Sequence, residues 1–222
     1  GGGGASDTVV IRGTHSDDAL DVASNRSVTL TSIAGSHVDV AISGATNLTL
    51  DGLDGDDTFG IASGHGYTQV NLLGGGPSGS DVLNLTGAAS TAEDFVIDLT
   101  AQTVTVSMET IALSGVEDAN LIGNAGDTDS VTVNGTSIDD QILYRPTGVQ
   151  SGELTPTGGS VVFNFADIGG ALLINGDTSA ADEVIVDGTA GGDVIEIDGS
   201  LATPTVSVTD DGGTLLKTVS LG

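Results

Sequence analysis

The sequence predicts an all-β protein, and among all-β architectures it favours a parallel β-helix, or β-solenoid. Apolar residues alternate with polar ones over three to five positions and are then interrupted by Gly, Asp, Asn or Ser. This pattern is typical of short strands joined by turns. In addition, one acidic unit recurs along the chain, and self-similarity at a period of about 20 to 50 residues indicates a repeat architecture.

The repeated unit consists of an acidic, Gly-rich turn, a short alternating strand and a second such turn. Clear copies are Asp7–Leu20, Asp129–Ile142 and Asp182–Ile195, and a looser copy begins at Asp81. Such a unit buries its apolar face only against its neighbours. We therefore expect residues 1–222 to form a single repetitive segment of about four units, each of roughly 50 residues.

The strands themselves follow from the alternation. We predict them near residues 9–11, 20–22, 28–30, 38–42, 48–50, 58–61, 69–72, 82–85, 95–99, 104–106, 110–113, 120–122, 131–133, 142–144, 161–165, 172–174, 184–186, 194–197, 205–208 and 215–219. Their starts lie roughly eleven residues apart, with about five strands to a unit. The stretch from Pro146 to Gly159 has two prolines and a Gly pair, and we interpret it as a surface excursion.

Two architectures remain open for these strands. The β-helix is favoured because the turns repeat the same Gly-Asp chemistry and because asparagines lie beside the strands, where polar ladders can form. These asparagines are Asn25, Asn47, Asn71, Asn84, Asn120, Asn134, Asn164 and Asn175. The alternative is a series of tandem antiparallel β-sandwiches, since hairpin loops are compatible with the sequence and five strands do not divide evenly into coils of two or three.

Composition narrows the possible partners. There are 31 acidic residues against 4 basic ones, a net charge of -27, and 25 of the 31 are Asp, which favours turns. So few cations cannot neutralise phosphates, so nucleic acid is not an expected partner. Divalent cations are expected, because clustered carboxylates repel one another until a counter-ion binds. The chain has no Cys and no apolar run long enough to cross a membrane, and its core must be built from Val, Ile, Leu and Ala.

Several turns carry a recognisable motif. The segment from Gly52 to Gly60, GLDGDDTFG, resembles the nonapeptide G-G-x-G-x-D-x-U-x of RTX, or haemolysin-type, calcium-binding repeats, where U is large and apolar. It departs at Leu53, which replaces the second glycine. The segments 76–84 and 188–196 keep three of the four signature classes. The segments 13–21 and 135–144 keep the first Gly, the Asp at the sixth position (Asp18 or Asp140) and the apolar residue (Leu20 or Ile142), but have Ser16 or Ile138 in place of the third Gly. The chain is most similar to degenerate, long-period relatives of this family in large bacterial surface proteins.

The resemblance implies a right-handed parallel β-roll in a secreted or cell-surface bacterial protein, with calcium held between consecutive turns. In such a motif glycine allows a positive φ, the carboxylate supplies charge, and the apolar residue two places later fills the core. RTX nonapeptides follow one another without a gap, whereas the copies here are isolated. The implied metal ligands are Asp18, Asp54, Asp56, Asp57, Asp81, Asp127, Asp129, Asp140, Asp182 and Asp193.

These aspartates have a second interpretation, in which no metal is needed. Asp18, Asp57, Asp140 and Asp193 could be turn formers whose carboxylates accept backbone N–H groups. Under the metal hypothesis, pairs such as Asp17 with Asp18 or Asp56 with Asp57 converge on calcium. The sequence does not decide between the two.

The function we expect is structural. His15, His37 and His65 are scattered without a metalloprotease, nucleophile-elbow or phosphate-loop motif, and His65, between two glycines, is predicted to be an exposed turn residue. We expect no enzymatic activity and predict an extracellular scaffold, such as a surface-layer, sheath, filament or stalk component. An adhesin or carbohydrate-binding module that binds surface glycans is the alternative, followed by a polysaccharide lyase-like enzyme. Residues 1–7 resemble the internal turn at 74–81, and residues 221–222 correspond to the stretch that begins at Leu113, which runs on into another strand. This predicts head-to-tail self-association or continuation of the chain.

Overall fold

The structure of the protein is a computed structural model, and it describes residues 7–33, 35–76, 80–159, 161–176, 181–199 and 203–222. All regular elements within these ranges are β-strands, which confirms the predicted all-β class. The strands form two large sheets in which most neighbouring strands from successive passes of the chain are parallel.

Sheet A has eleven strands. In spatial order they are β1 (Thr8–Arg12), β5 (Asn47–Leu53), β7 (Gln69–Gly75), β11 (Glu109–Ser114), β10 (Thr103–Val106), β9 (Asp94–Asp98), β13 (Ser130–Asn134), β17 (Leu172–Asn175), β21 (Leu215–Leu221), β20 (Thr205–Thr209) and β19 (Val194–Asp198). Sheet B has ten. In spatial order they are β18 (Glu183–Val186), β14 (Gln141–Gly148), β15 (Ser151–Pro156), β16 (Val162–Ala166), β12 (Asp118–Ile122), β8 (Val82–Thr86), β6 (Thr58–Ala62), β2 (Asp18–Val22), β3 (Ser27–Ser32) and β4 (His37–Ala41).

The chain alternates between the sheets, and four three-stranded antiparallel meanders interrupt this alternation. The meanders are β2–β4 and β14–β16 in sheet B, and β9–β11 and β19–β21 in sheet A. Single strands that lie between meanders pair in parallel with strands of the neighbouring passes. From β9 onward the five-strand unit of the sequence is therefore one meander plus two single strands, namely β9–β13 and β14–β18, whereas four single strands, β5 to β8, follow the first meander. This is why the strands do not divide evenly into coils of two or three.

Strand β15 was not predicted from the sequence, because prolines lie in and near it. The interpretation of residues 146–159 as a surface excursion is wrong, because they form the end of β14 and the whole of β15. Pro146 and Pro156 are both buried. Strand β18 pairs with β14 only as far as Tyr144, and β16 pairs with β15 only as far as Leu154. Both prolines lie past these points, where a missing N–H breaks no ladder bond on that side.

A single apolar core lies between the sheets and extends from Ile11 to Val219. It is built by alternation, since in β5 Leu48 and Leu50 are buried while Thr49 is not. Leu48 is in register with Val70, and Val70 is in register with Ile111, so each inward aliphatic side chain has an aliphatic neighbour on the adjacent strand. Burial of each such side chain contributes about 1.5–3 kcal/mol. The expectation that Val, Ile, Leu and Ala alone build the core is wrong, because all four Phe and both Tyr residues lie in it, and Phe59, Tyr67, Phe95 and Tyr144 are fully buried.

Asparagines form part of the predicted polar ladders on the outer surface. The Nδ2 of Asn120 donates to Oδ1 of Asn84 at 2.8 Å, and the Nδ2 of Asn175 donates to Oδ1 of Asn134 at 3.0 Å. Each bond joins residues that are direct partners in parallel strands or lie at the ends of such strands. These two pairs confirm the prediction for four of the eight asparagines, Asn84, Asn120, Asn134 and Asn175.

Candidate functional site

Buried or half-buried carboxylates mark the corners where the chain passes from sheet A to sheet B. The backbone N–H of Asp18 donates to Oδ1 of Asp57 at 2.8 Å, and that of Asp57 donates to Oδ1 of Asp81 at 2.7 Å. The N–H of Asp81 then donates to Oε2 of Glu117 at 2.9 Å. We call Asp18, Asp57, Asp81 and Glu117 the corner column. Each bond ties one pass of the chain to the next.

Several carboxylates also close their own turn, both at these corners and where the chain returns from sheet B to sheet A. Oδ2 of Asp18 accepts the N–H of Thr14, and Oδ2 of Asp140 accepts that of Thr136, both at 2.5 Å. The same bond recurs at Asp129 with the N–H of Asn124, and at Asp193 with that of Thr189. In each case the donor is the residue that follows the corner glycine. The turn-forming interpretation therefore describes what these carboxylates do in the structure.

Asp57 and Asp81 depart from this arrangement. Both side chains are buried, and the Oδ2 of each has no hydrogen-bond partner among the described residues. The reason lies in the preceding strands, since β5 and β7 run past their corner glycines and Leu53 pairs in register with Gly75. Both of these residues have a positive φ, 81° for Leu53 and 111° for Gly75. The residues that follow these corner glycines therefore take part in the pairing of β5 with β7, and they do not donate to the Asp57 and Asp81 carboxylates.

The corner glycines make room for these oxygens. A Cβ on Gly52 would lie 2.0 Å from Oδ2 of Asp57 and 2.8 Å from the carbonyl oxygen of Gly74. A Cβ on Gly74 would lie 2.3 Å from Oδ2 of Asp81 and 1.8 Å from the carbonyl oxygen of Gly115. At each corner a carboxylate oxygen and a carbonyl oxygen therefore border the same small space. Two such acceptors are the ligand type that Ca²⁺ binds.

The electrostatics of the column favour neutralisation. Burial raises the pKa of Asp57 to about 6, the N–H of Asp18 opposes the shift, and the charges of Asp81, Asp18 and Asp17 add to it. Burial also raises the pKa of Asp81, against the hydrogen bond from Asp57, and the charge of Glu117 adds to the shift. Either a proton or a bound cation would relieve this repulsion.

A second group of carboxylates lies at the corners where the chain returns from sheet B to sheet A. The N–H of Glu93 donates to Oδ1 of Asp129 at 2.8 Å, and the hydroxyl of Ser63 donates to Oε1 of Glu93 at 2.9 Å. Both carboxylate oxygens of Asp127 are buried without a hydrogen-bond partner in the described residues. Burial and the neighbouring Asp129 raise the pKa of Asp127.

The ten predicted ligands do not converge on one centre. Asp54 is exposed and its Oδ2 lies 2.7 Å from Nδ1 of His15, while Asp56 is exposed and its N–H donates to Oδ1 of Asp17. Further along the chain, the N–H of Asp140 donates to Oδ1 of Asp182 at 3.0 Å. Within the described ranges, no group of three or more His, Cys, Asp or Glu residues is arranged to hold a metal ion.

Sequence reasoning missed the glutamates that take part in these corners. Glu93 follows Gly87 by six residues, the same spacing as Asp129 after Gly123, and both glycines border the carboxylate that follows them. The signal was present in the spacing but was hidden because Glu replaces Asp. Glu109 had no sequence signal, because it is recruited from the start of β11 to a distant turn.

The prediction that His65 is exposed is wrong. Its side chain is 0% exposed, and its Nδ1 accepts the N–H of Tyr67 at 3.0 Å. The flanking Gly64 and Gly66, with φ of 74° and 75°, direct their N–H groups to the carboxylate of Glu109 at 2.8 and 2.6 Å. The glycines therefore wrap the backbone around an anion, which leaves the imidazole inside.

The apolar residue of each motif mostly behaves as the resemblance implies. Leu20, Phe59, Leu83 and Ile142 are all buried in the core, but Ile195 is 46% exposed because β19 lies at the edge of sheet A.

Comparisons with known proteins identify no relative. No protein-family model matches the chain, and no curated protein or solved structure shows a significant match. Over the residues that the structure describes, no helix is long and apolar enough to span a membrane.

Proposed function

We propose that this chain is a segment of a β-solenoid that acts as an extracellular structural scaffold, as in a surface layer, sheath, filament or stalk, with calcium bound at its corners. The observation that carries the proposal is the single core from Ile11 to Val219, built from in-register parallel strands of successive passes. Each pass contacts chiefly its neighbours, so stability and stiffness build up along one direction.

The corner column gives this scaffold its mechanical links. A carboxylate such as that of Asp81 accepts the N–H of Asp57 from the previous pass. Hydrogen bonds to ionised groups contribute about 1.5–3 kcal/mol, more than neutral ones. The bonds join consecutive passes at the edge, in addition to the ladders within the sheets. A load along the stack is therefore resisted at the corners as well as between the strands.

Calcium fits the part of the column that lacks donors. Asp57 and Asp81 would hold the ion together with the carbonyl oxygens of Gly74 and Gly115, which border the same spaces. All of these are oxygen ligands, and the ion would compensate the burial and the charge repulsion that raise the pKa of both aspartates. Asp127 and Asp129 offer a second set of buried carboxylate oxygens at the return corner.

Thermal melting with and without a chelator tests the calcium component. We expect calcium to raise the midpoint by several degrees, since saturation at 100 times Kd adds about 2.7 kcal/mol. The double variant D57N/D81N should lose most of the shift. A control of equal charge change, D39N/D94N, alters two exposed carboxylates and should retain it. A midpoint that is the same in calcium and in chelator would remove calcium from the proposal.

One surface feature favours the binding-module alternative. A groove of about 280 Å³ lies between the β9–β10 and β15–β16 connections, and its lining includes the apolar residues Leu113, Ile138 and Phe163 and the acidic residues Asp98 and Asp139. A glycan-array screen would test it. Specific binding that is lost in an Ile138→Ala variant, which changes an exposed side chain of the groove, would place a ligand there.

A further inference from the structure

We propose that the outer edge of β19 is a docking surface for strand β1 of a second copy of this chain. The proposal rests on the scaffold function above and names its longitudinal partner. In the other three meanders, the first strand pairs on its outer side with a parallel strand of a later pass, namely β2 with β6, β9 with β13 and β14 with β18. Strand β19 pairs only with β20 among the described strands.

Strand β19 carries large apolar side chains like those of the core strands, but these side chains are exposed to solvent. Ile195 and Ile197 are 46% and 75% exposed. Their counterparts in the first meander of sheet A are Phe95 and Ile97, because Ile97 is opposite Val104 just as Ile197 is opposite Val206. Both counterparts are fully buried. A strand added beside β19 would cover these isoleucines as β13 covers the residues of β9.

Strand β1 has the sequence and the charge to fill this position. It is the counterpart of β13, since each is followed by Gly-Thr and then by an Asp pair at 17–18 or 139–140. The β9–β13 register places Phe95, Ile97 and Asp98 opposite Val131, Val133 and Asn134. The same register on β19 places Ile195 opposite Val9, Ile197 opposite Ile11 and Asp198 opposite Arg12.

The last of these pairs joins opposite charges in a chain of net charge -27. Within one copy, Arg12 already reaches across to Asp51 of β5 at 3.0 Å, so its side chain is placed to bridge neighbouring strands. Cross-strand pairs of opposite charge contribute roughly 0.2–1 kcal/mol and also select the register.

The edges of the two sheets are stepped in a complementary way. Sheet A extends beyond β17 by the meander β19–β21, whereas sheet B ends at β18, and at the opposite end sheet B extends beyond β2 by β3 and β4. With β1 of the second copy on β19, its β3–β4 hairpin lies across the inner face of β19 and β20. Val38 of β4, which is 56% exposed, would then face apolar side chains.

In the proposed contact, which we call the joint, the two copies pair their strands in sheet A only. Counting strand positions, β4 of the second copy falls two places beyond β18, so sheet B keeps one open place. We therefore expect reversible, concentration-dependent association. Because the joined surfaces differ, the contact is head to tail and propagates into linear oligomers.

Sedimentation velocity on the purified chain, from micromolar to near-millimolar concentration, tests the joint. The average mass should rise with concentration. Ile197→Lys blocks the β19 end and Val9→Lys blocks the β1 end, so each variant alone should stay monomeric. An equimolar mixture should form a dimer and nothing longer, because one free end of each kind remains. Met108→Lys adds the same charge at a position that is 90% exposed, remote from both ends, and should behave like the parent chain.

Three results would overturn the proposal. These are a parent chain that is monomeric at every concentration, an Ile197→Lys variant that assembles like the parent, and a mixture of blocked variants that stays monomeric. Melting curves of each variant verify that it is folded. A monomeric parent chain that still melts at a higher temperature in calcium would remove the joint and leave the scaffold function in place.

Discussion

Glu109 and Lys217 hold equivalent positions at the start of the third strand of their meanders, and each fixes the turn of a neighbouring pass through the opposite backbone group. Glu109 is opposite Val106, and Lys217 is opposite the equivalent Val208. The carboxylate of Glu109 accepts the N–H groups of Gly64 and Gly66. The ammonium of Lys217 donates to the carbonyl oxygens of Ile168 and Gly170 at 2.6 and 2.5 Å. The anionic side chain therefore binds a turn that offers N–H donors, and the cationic side chain binds a turn that offers carbonyl acceptors.

This match predicts that the two residues are not interchangeable in charge. Glu109→Gln should lower the free energy of unfolding by about 1–3 kcal/mol, because one N–H loses its acceptor. Glu109→Lys should cost clearly more, since it places an ammonium group against two donors. Urea denaturation measures both. Equal losses for the two variants would show that the charge of Glu109 does not matter.

Removal of Lys217 tests the same relationship from the other side. Lys217→Met keeps the apolar stem and leaves two carbonyl oxygens without their donor, so we expect a loss of roughly 2–4 kcal/mol in urea denaturation. The matched control is Arg145→Met, because Arg145 is about half exposed and forms only surface ion pairs. That control should change stability by about 1 kcal/mol or less. A Lys217→Met variant as stable as the control would contradict the structural role of the ammonium.

The corner glycines predict a steep cost for one added methyl group. Gly52→Ala would place its Cβ 2.0 Å from Oδ2 of Asp57, so the carboxylate must move and its bond to Asp18 is disturbed. We expect a loss of about 2–4 kcal/mol or a failure to fold. Gly192→Ala is the control, since its Cβ would meet no atom closer than 3.9 Å. Similar stabilities for the two variants would mean that the carboxylate does not occupy the corner.

The raised pKa of Asp57 predicts a defined pH dependence in calcium-free buffer. The folded value of about 6 lies above the ordinary 3.8, so the folded state binds this proton more tightly than the unfolded state. The stability it contributes is fully present below about pH 4 and is lost as the pH rises through 6. A shift of two pKa units corresponds to about 3 kcal/mol. Asp57→Asn should keep most of that stability at neutral pH.

His65 acts in the opposite sense, so the Asp57 effect is measured as the difference between variant and parent at each pH. Burial lowers the pKa of His65 from its ordinary 6.5, Glu109 opposes the shift and Arg26 adds to it. The stability of the neutral imidazole is present above pH 6.5 and is lost as the pH falls through the folded value. A stability difference between Asp57→Asn and the parent that does not change between pH 4 and 7 would contradict the raised pKa of Asp57.

Local patterns predicted the strands better than their pairing. Alternation located β5 and the corner motif located Asp57, because both depend on residues that are close in sequence. The antiparallel strands β10, β15 and β20 show the same alternation as the parallel ones, so nothing in the sequence distinguishes a meander from a single strand. Pro146 and Pro156 further disguised β15.

For the corner contacts too, the sequence predicted the local hydrogen bonds but not those between distant residues. That Asp18 closes its own turn on Thr14 is a local bond and was foreseen as one of two interpretations. That its N–H binds Asp57 depends on which pass lies next to it, 39 residues away. The inward position of His65, which lies in the turn between β6 and β7, likewise depends on Glu109, which comes from the meander β9–β11.

The central claim is that successive passes of the chain lie side by side in register, and an engineered disulfide tests it most directly because the chain has no native cysteine. Asn84 and Asn120 are direct partners in the parallel strands β8 and β12, and Asn164 is the partner of Asn120 in β16. Neighbouring strands lie about 4.8 Å apart, within disulfide range, whereas positions two strands apart, at about 10 Å, cannot be bridged. The double variant N84C/N120C should therefore form an intramolecular disulfide in high yield, and N84C/N164C should not. Equal yields in the two variants, or no disulfide in the first, would contradict the account.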